Sequence, residues 1–231
     1  MIIEQNLLIS ILKLTKDEHV LTKYVNQEAR VASDIAKKLL EKLQNEGLIT
    51  LKNDFVEVAG NNRLRLAVKA ISLGADVEHI SNLLRWQEFE DIAAIALERN
   101  GYATAKNVRF KHGGRRWEID VISCRKPLVL CVDCKRWQRS LTYSALGKIV
   151  EAQIARACAL ADTLPNPSLK FECVKWISAK FVPVILSLVP CSFKFYDEVP
   201  VVPVLQLQDF LVQLPAYVEQ FKYFTRKFSH L

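Results

Sequence analysis

The chain has 231 residues, of which 50% are hydrophobic and 25% charged, and its formal net charge is +7. This length allows one large domain or two small ones, and the composition predicts a globular core. No apolar run reaches the about 18 residues of a membrane span, and the first residues lack the basic region of a secretion signal. Six cysteines without such a signal predict reduced thiols and a cytoplasmic protein.

The positive charge is concentrated away from the N-terminus. Residues 1–60 contain 8 basic and 9 acidic residues, whereas residues 61–231 contain 24 and 16. Within residues 101–140 there are 10 basic residues and only three acids, namely Glu118, Asp120 and Asp133. A positive field around a few carboxylates favours a polyanionic partner, and nucleic acid is the partner we expect.

The first 60 residues have the pattern of three helices followed by a β-hairpin. Apolar spacing predicts helices over 4–14, 21–29 and 33–46, and short apolar runs at 48–51 and 55–58 predict the two strands. This order, and the phrase from Leu40 to Ile49, resemble a winged helix-turn-helix. The resemblance implies a domain over residues 1–60 that binds DNA through Lys37, Lys38 and Lys42. The near-neutral charge leaves a protein-contact or dimerisation module as the alternative.

Two short helices, over 62–73 and 77–86, predict a helical connector that spans residues 61–86. From residue 87 the pattern alternates between helices and strands up to residue 231. A helix over 86–99 is followed by three extended segments, a long helix, further strands and a closing helix; the predicted ranges are 102–111, 115–123, 128–135, 142–163, 171–178, 181–188, 199–205 and 210–223. This order predicts an α/β domain with a mixed sheet flanked by helices.

Two adjacent strands of this domain carry charged residues among apolar ones. Glu118 and Asp120 lie two residues apart on one strand, and Asp133 and Lys135 lie two apart on the next. Residues two apart share a face of a strand, so three carboxylates and an ammonium group are expected to converge. Buried charges are costly unless they are paired or bound to a metal ion. The arrangement therefore suggests a divalent cation and a phosphodiester.

The chemistry of phosphodiester hydrolysis gives each residue a role. Mg²⁺ or Mn²⁺ prefers oxygen ligands, which Asp120, Asp133 and the backbone carbonyl of Cys134 can supply. Lys135 can position the attacking water or stabilise the developing charge. Glu90, on the preceding helix, is a candidate for a further acidic ligand.

These residues resemble the motif of the PD-(D/E)xK nuclease superfamily, which has a restriction-endonuclease-like fold. The matching positions are Glu90, Asp120 and the triplet Asp133-Cys134-Lys135, and the surrounding phrases look most like Mrr-type restriction endonucleases and archaeal Holliday-junction resolvases. The resemblance covers about residues 85–220. It implies a metal-dependent DNA endonuclease that acts as a homodimer in DNA repair and recombination or in restriction.

The chain departs from that motif at two positions. Asp133 stands where many members have Glu or Gln, and its shorter side chain changes the reach to a metal ion. Glu118 stands where Mrr-type enzymes usually have glycine, so Glu118 and Glu90 compete for the role of third acidic ligand. Glu118 could instead pair with Arg116 or Lys111 at the surface of the sheet, and both alternatives remain open.

The positions of several other residues in the sequence indicate their roles. Five basic residues near the acids are expected to hold the DNA backbone: Lys111, Arg115, Arg116, Arg136 and Arg139. His112 is expected to contact the DNA backbone or to have no role. Gln153, on the helix after the motif, could face the site, but a place in the core or at the surface is the favoured interpretation. Cys131 and Cys134 point to opposite faces of a strand, so we expect no metal site from their thiols.

The sequence therefore predicts a Mg²⁺-dependent deoxyribonuclease with DNA as its partner and no membrane association. The alternative function is a winged-helix DNA-binding regulator or scaffold whose nuclease-like domain is inactive. The intact set of Asp120, Asp133 and Lys135 favours the enzyme.

Overall fold

A computed structural model of the chain describes residues 2–16, 18–135, 142–187 and 191–228. The chain forms two compact units, Met1–Ile92 and Ala93–Leu231, which we call the first and the second unit. None of the helices in the described part of the chain combines the length and apolar character that a bilayer crossing requires.

The first unit begins with helices and a small antiparallel sheet. Its elements are α1 (Ile2–Leu14), β1 (Val20–Leu21), α2 (Thr22–Ala29), α3 (Ser33–Asn45), β2 (Thr50–Lys52) and β3 (Phe55–Glu57). The strands are ordered β1-β3-β2, and β1 was not predicted because it is only two residues long. Asn53 and Asp54 connect β2 and β3 with positive φ angles, which Asn and Asp tolerate better than most residues.

Two further helices, α4 (Gly60–Ser72) and α5 (Val77–Leu83), belong to the first unit, although the sequence suggested a connector over 61–86. Leu66, Ala67 and Ala70 of α4 are buried, and α4 packs against α1. The helix α4 is therefore part of a hydrophobic core of the first unit.

Arg63 of α4 is a buried cation. Its Nε donates to Glu88 Oε1 over 2.7 Å, its Nη1 to Thr15 Oγ1 over 2.9 Å and its Nη2 to the Leu83 carbonyl oxygen over 2.9 Å. Glu88 Oε2 also accepts from the backbone N–H of Arg85 over 2.7 Å. Both ions thus have several hydrogen-bond partners inside the unit.

The second unit is built on a mixed sheet. Its strands are β4 (Ala103–His112), β5 (Arg115–Arg125), β6 (Leu128–Lys135), β7 (Ser178–Ser187), β8 (Phe195–Tyr196), β9 (Val199–Pro203) and β10 (Phe224–Lys227). The order is β4-β5-β6-β7-β9-β8, with β10 paired to β7. Neighbours from β4 to β6 are antiparallel, whereas β7 is parallel to both β6 and β9. This confirms the predicted mixed α/β sheet.

The helices of this region are α6 (Trp86–Arg99), which contains the boundary between the units, α7 (Tyr143–Thr163) and α8 (Leu207–Tyr217). Thr142 caps α7, because its Oγ1 accepts from the backbone N–H of Ala145 over 3.3 Å. Ala157 and Leu160 of α7 pack in an apolar cluster with Cys131 of β6 and Phe181 of β7. This packing holds the preceding turn of α7, with Gln153 and Arg156, beside the end of β6.

Two predicted elements of the second unit differ from the structure, and the strand β10 was not predicted. Residues 171–178 contain a 3₁₀ helix, Glu172–Lys175, and the strand begins only at Ser178. Phe171 and Cys173 are both buried, and this spacing of two residues imitates a strand. The closing helix was placed at 210–223 but spans Leu207–Tyr217, and β10 was missed because its only partner is the remote first half of β7.

Candidate active site

The antiparallel ladder between β5 and β6 ends next to the two aspartates. Its last pair is Val121 with Val132, so Asp120 and Asp133 occupy the next positions in the same register. Instead of continuing the ladder, Asp120 Oδ2 accepts the backbone N–H of Cys134 over 2.7 Å. The Asp120 carboxylate is thereby held against the backbone that follows Asp133. The structure thus brings the two predicted aspartates to the place where the pairing of β5 and β6 ends. We call this place the fork between β5 and β6.

The alternation of faces along β5 is interrupted at Asp120. Ile119 and Ile122 pack into the same apolar cluster as Cys131, although strict alternation puts residues three apart on opposite faces. On β4, Asn107 lies in the ladder position opposite Asp120 and has a φ of 51°. The interruption lies between Ile119 and Ile122, and whether Glu118 and Asp120 share one face remains a prediction.

Asp133 is a buried carboxylate with two cationic neighbours. Its side chain is only 5% exposed, whereas those of Lys135 and Arg156 are each 28% exposed. Lys135 Nζ donates to Oδ1 over 3.1 Å and lies 2.9 Å from Oδ2, and Arg156 Nη1 donates to Oδ1 over 3.3 Å. Among the described residues no donor is aligned for a hydrogen bond to Oδ2. This buried oxygen atom retains an unused capacity to accept.

Gln153 connects this carboxylate to the strand backbone. It is fully buried, and its Nε2 donates to the Cys131 carbonyl oxygen over 2.7 Å. Its Oε1 accepts from Arg156 Nη1 over 3.3 Å. Arg156 was missed in the sequence, although it lies three residues after Gln153 and therefore on the same face of α7.

Glu118 lies in a different environment from the two aspartates. It faces Arg109 across the β4–β5 ladder and forms a two-point ion pair, with Arg109 Nε 3.1 Å from Oε2 and Nη2 3.1 Å from Oε1. This hydrogen bond raises the pKa of Arg109. The expected partners Arg116 and Lys111 were wrong, because the register places Arg109 directly opposite.

Glu90 is a buried residue of α6 in the first unit, whereas Asp120 and Asp133 belong to the second. In the part of the chain that the structure describes, no group of three or more His, Cys, Asp or Glu side chains is arranged to hold a metal ion. The expected third acidic ligand, Glu90 or Glu118, therefore remains a prediction.

Two carboxylates are nevertheless compatible with the cation that the resemblance implies. Mg²⁺ usually keeps several waters and is held by one or two carboxylates together with substrate oxygen atoms. Asp120 and Asp133, which occupy opposite positions at the end of the β5–β6 ladder, provide two such carboxylates, and the carbonyl of Cys134 follows directly in the chain. The donor set therefore fits a hard divalent cation.

The thiols near the site lie in an apolar environment. Cys131 packs with Cys124 and Cys173 in the cluster beneath α7, and burial raises the pKa of the Cys131 thiol. Protonated buried thiols are poor metal ligands, because the thiolate is the coordinating form.

Basic residues are exposed on the β4–β5 hairpin. Lys111 and Arg116 form a cross-strand pair, and the Arg115 guanidinium lies 4.3 Å from the centroid of the Trp117 ring. The ring Nε1–H of Trp117 donates to the His112 carbonyl oxygen over 3.1 Å and so braces the end of the hairpin. Two further predicted contacts, Arg136 and Arg139, lie outside the described residues.

The three lysines predicted on α3 differ in their surroundings. Lys37 and Lys38 are exposed. Lys42 Nζ instead donates to Glu4 Oε1 of α1 over 2.9 Å, and this hydrogen bond raises the pKa of Lys42. Its charge is therefore partly neutralised inside the first unit.

Residues 82–161 match a family model described as restriction endonuclease, of the Mrr catalytic type. An uncharacterized protein of Archaeoglobus fulgidus is 28% identical over 138 residues, which is 60% of this chain and 98% of that protein. The family match contains Asp120, Asp133, Lys135 and Gln153, and it supports a nuclease of the PD-(D/E)xK type.

Two solved structures are also similar to the chain. One is AF1548, described as a protein of unknown function, with a TM-score of 0.31 and 20% identity over 42% of this chain and 44% of that chain. The other is VC1899 from Vibrio cholerae, with a TM-score of 0.42 and 13% identity over 95% of this chain and 53% of that chain. The chain spans about half the length of each.

Proposed function

We propose that the second unit is a metal-dependent DNA endonuclease that hydrolyses phosphodiester bonds at the fork between β5 and β6. The observation that carries this proposal is the buried Asp133 carboxylate, which contacts Lys135 and Arg156 and occupies the position opposite Asp120 where the β5–β6 ladder ends. The match of residues 82–161 to a restriction endonuclease model supports the same assignment.

Asp120, Asp133 and the Cys134 carbonyl would hold Mg²⁺ or Mn²⁺. Glu90 is the favoured candidate for a further ligand, and Glu118 is the less favoured one because it is paired with Arg109. The cation, when bound, supplies charge stabilisation to the phosphate oxygens. Asp120 is oriented by the N–H of Cys134, and Asp133 is oriented by Lys135. The partly exposed ammonium of Lys135 would position the attacking water and stabilise the charge that develops on the phosphate.

DNA would be held by sequence-independent contacts to its phosphates. Lys111, Arg115 and Arg116 of the β4–β5 hairpin are exposed, and Arg136 and Arg139 extend this basic set along the sequence. We propose that residues 1–60 of the first unit form a winged helix-turn-helix, because they have the order helix, strand, helix, helix and two strands. Its DNA contacts would come from Lys37 and Lys38 and less from Lys42, which is paired with Glu4.

A double-strand cut requires two hydrolytic events, so we propose that a homodimer is the active form. Its substrate would be branched or damaged DNA in repair and recombination, or foreign DNA in restriction. The alternative, an inactive DNA-binding regulator or scaffold, predicts binding without cutting.

A nicking assay separates these functions. Wild-type protein, Lys135→Ala and a control, Lys126→Ala in the exposed turn between β5 and β6, are incubated with Mg²⁺ or Mn²⁺ and plasmid, four-way-junction, flap and mismatch DNA. We expect cutting by the wild type and the control, and a rate about 10²–10³-fold lower for Lys135→Ala, the size of effect seen when one transition-state donor is removed. If wild type and Lys135→Ala behave alike on every substrate, the endonuclease proposal fails.

A further inference from the structure

We propose that Arg156 is an internal counter-cation, which holds Asp133 in the metal-free protein and leaves it when a divalent cation binds. This inference rests on the proposed function, since it assigns a role at the same carboxylate. Arg156 is then a positioning residue, because it acts through Asp133.

The first observation is that Arg156 is held loosely. Its Nη1 is shared between Asp133 Oδ1 and Gln153 Oε1, and both distances are 3.3 Å. Hydrogen bonds of N–H groups to oxygen usually span about 2.7–3.2 Å, so both contacts are weak. In the first unit, by comparison, Arg63 contacts Glu88 over 2.7 Å and has two further acceptors within 2.9 Å.

The second observation is that Gln153 provides a place for the released guanidinium. Its amide is anchored by the 2.7 Å hydrogen bond to the Cys131 carbonyl oxygen and is fully buried. Gln153 Oε1 therefore stays in position when Asp133 turns to a metal ion. The 28% exposure of the Arg156 side chain gives the guanidinium room to move towards solvent while this second contact persists.

The third observation is the balance of charge. Asp133 already has two cationic neighbours, Lys135 and Arg156, for a single negative charge. A divalent cation at Asp133 would add two further positive charges, and like charges at such distances repel one another. Lys135 lies 2.9 Å from the carboxylate and Arg156 lies 3.3 Å away, so Arg156 is the neighbour that yields.

The test is the affinity for Mn²⁺ in the absence of DNA, measured by titration calorimetry. Four full-length variants are compared with the wild type: Arg156→Met, Arg156→Lys, Asp133→Asn and Lys148→Met. Lys148 is an exposed residue of the same helix, so its variant controls for the loss of one positive charge on α7. Circular dichroism melting checks that each variant is folded.

We expect Arg156→Met to bind Mn²⁺ about tenfold more tightly than the wild type, within the 5- to 150-fold range typical of coupled binding events. Arg156→Lys, which keeps the cation, should stay within about threefold of the wild type, and Lys148→Met within about twofold. Asp133→Asn should abolish this binding. An unchanged or weaker affinity of Arg156→Met, with binding that still depends on Asp133, would overturn the role of Arg156 alone. Binding that is absent from the wild type or unaffected by Asp133→Asn would overturn this role together with the proposed metal site.

Discussion

Each unit buries a charged network among its described residues, and the two networks differ in how many aligned hydrogen-bond partners their ions have. In the first unit, Arg63 and Glu88 have side chains that are 3% and 8% exposed, and the shortest contact between them is 2.7 Å. In the second unit, Asp133 has two cationic neighbours at 2.9 and 3.3 Å, and its Oδ2 has no aligned donor among the described residues.

The comparison of the two networks shows how a structural charge can be distinguished from a functional one. A buried ion pair in which both ions have several hydrogen-bond partners is structural. Removal of either ion leaves the other uncompensated and destabilises the fold. A buried carboxylate whose cationic partners are partly exposed can exchange one of them for a metal ion. The same types of side chain therefore have different roles, and the number of aligned partners indicates which role applies.

The largest effect on stability is expected from Arg63→Met. The variant leaves Glu88 buried without its ion partner, which should lower the free energy of unfolding by about 3–5 kcal/mol. Urea denaturation followed by circular dichroism measures the loss. The control is Arg65→Met on the same helix, where the side chain is exposed and the loss should stay below about 0.5 kcal/mol. Equal losses in both variants would contradict a special role for the Arg63 network.

A smaller effect on stability is expected from Asp133→Asn. The remaining cations, Lys135 and Arg156, are partly exposed and can regain hydration, so the loss should be below about 1 kcal/mol. The same denaturation experiment measures it, while the nicking assay should show a loss of cutting. A loss as large as that of Arg63→Met would mean that Asp133 is mainly structural.

Acid should weaken the first unit slightly through Glu4. Burial opposes ionisation of this carboxyl, but Lys42 and Lys69 hold its pKa below its ordinary value. A lowered carboxyl pKa contributes stability that is present above the unfolded value, about 4.3, and is lost as the pH falls through the folded value. Because Lys42 is half exposed, we expect only a few tenths of a kcal/mol. Urea midpoints at pH 7, 4.5 and 3 should decrease less in Glu4→Gln; an identical decrease would exclude this contribution.

The smallest effect is expected from Glu118→Gln. Its ion pair with Arg109 is exposed and separate from Asp133, so the rate of cutting should stay within about threefold of the wild type. The nicking assay measures it beside Asp120→Asn, which should lose activity. A loss in Glu118→Gln as large as that in Asp120→Asn would restore Glu118 as a ligand.

The sequence predicts the helices and strands well where the apolar period is long and unbroken. The pattern of β6 gave its range, Leu128–Lys135, and its central position between β5 and β7. Prediction failed where the fold depends on contacts between remote segments. The strand β10 exists only through its pairing with β7, and no local pattern reveals it.

Prediction of the candidate site from the sequence was limited in the same way, by contacts between remote segments. Asp120, Asp133 and Lys135 were found because they lie on two adjacent strands with charged residues at alternate positions. Alternation alone could not show that the pattern of faces is interrupted between Ile119 and Ile122. The role of Arg156 depends on the packing of α7 against β6, which brings residues 133 and 156 together although they are remote in the sequence.

The most direct test of this account is a crystal of the protein soaked in Mn²⁺ and measured at the manganese absorption edge. We predict one anomalous peak within about 2.5 Å of Asp133 Oδ2 and of an oxygen atom of Asp120, with Arg156 displaced from Asp133. A saturating soak that gives no peak at this fork, with Asp133 still held by Lys135 and Arg156, would contradict the assignment of a metal-dependent nuclease site.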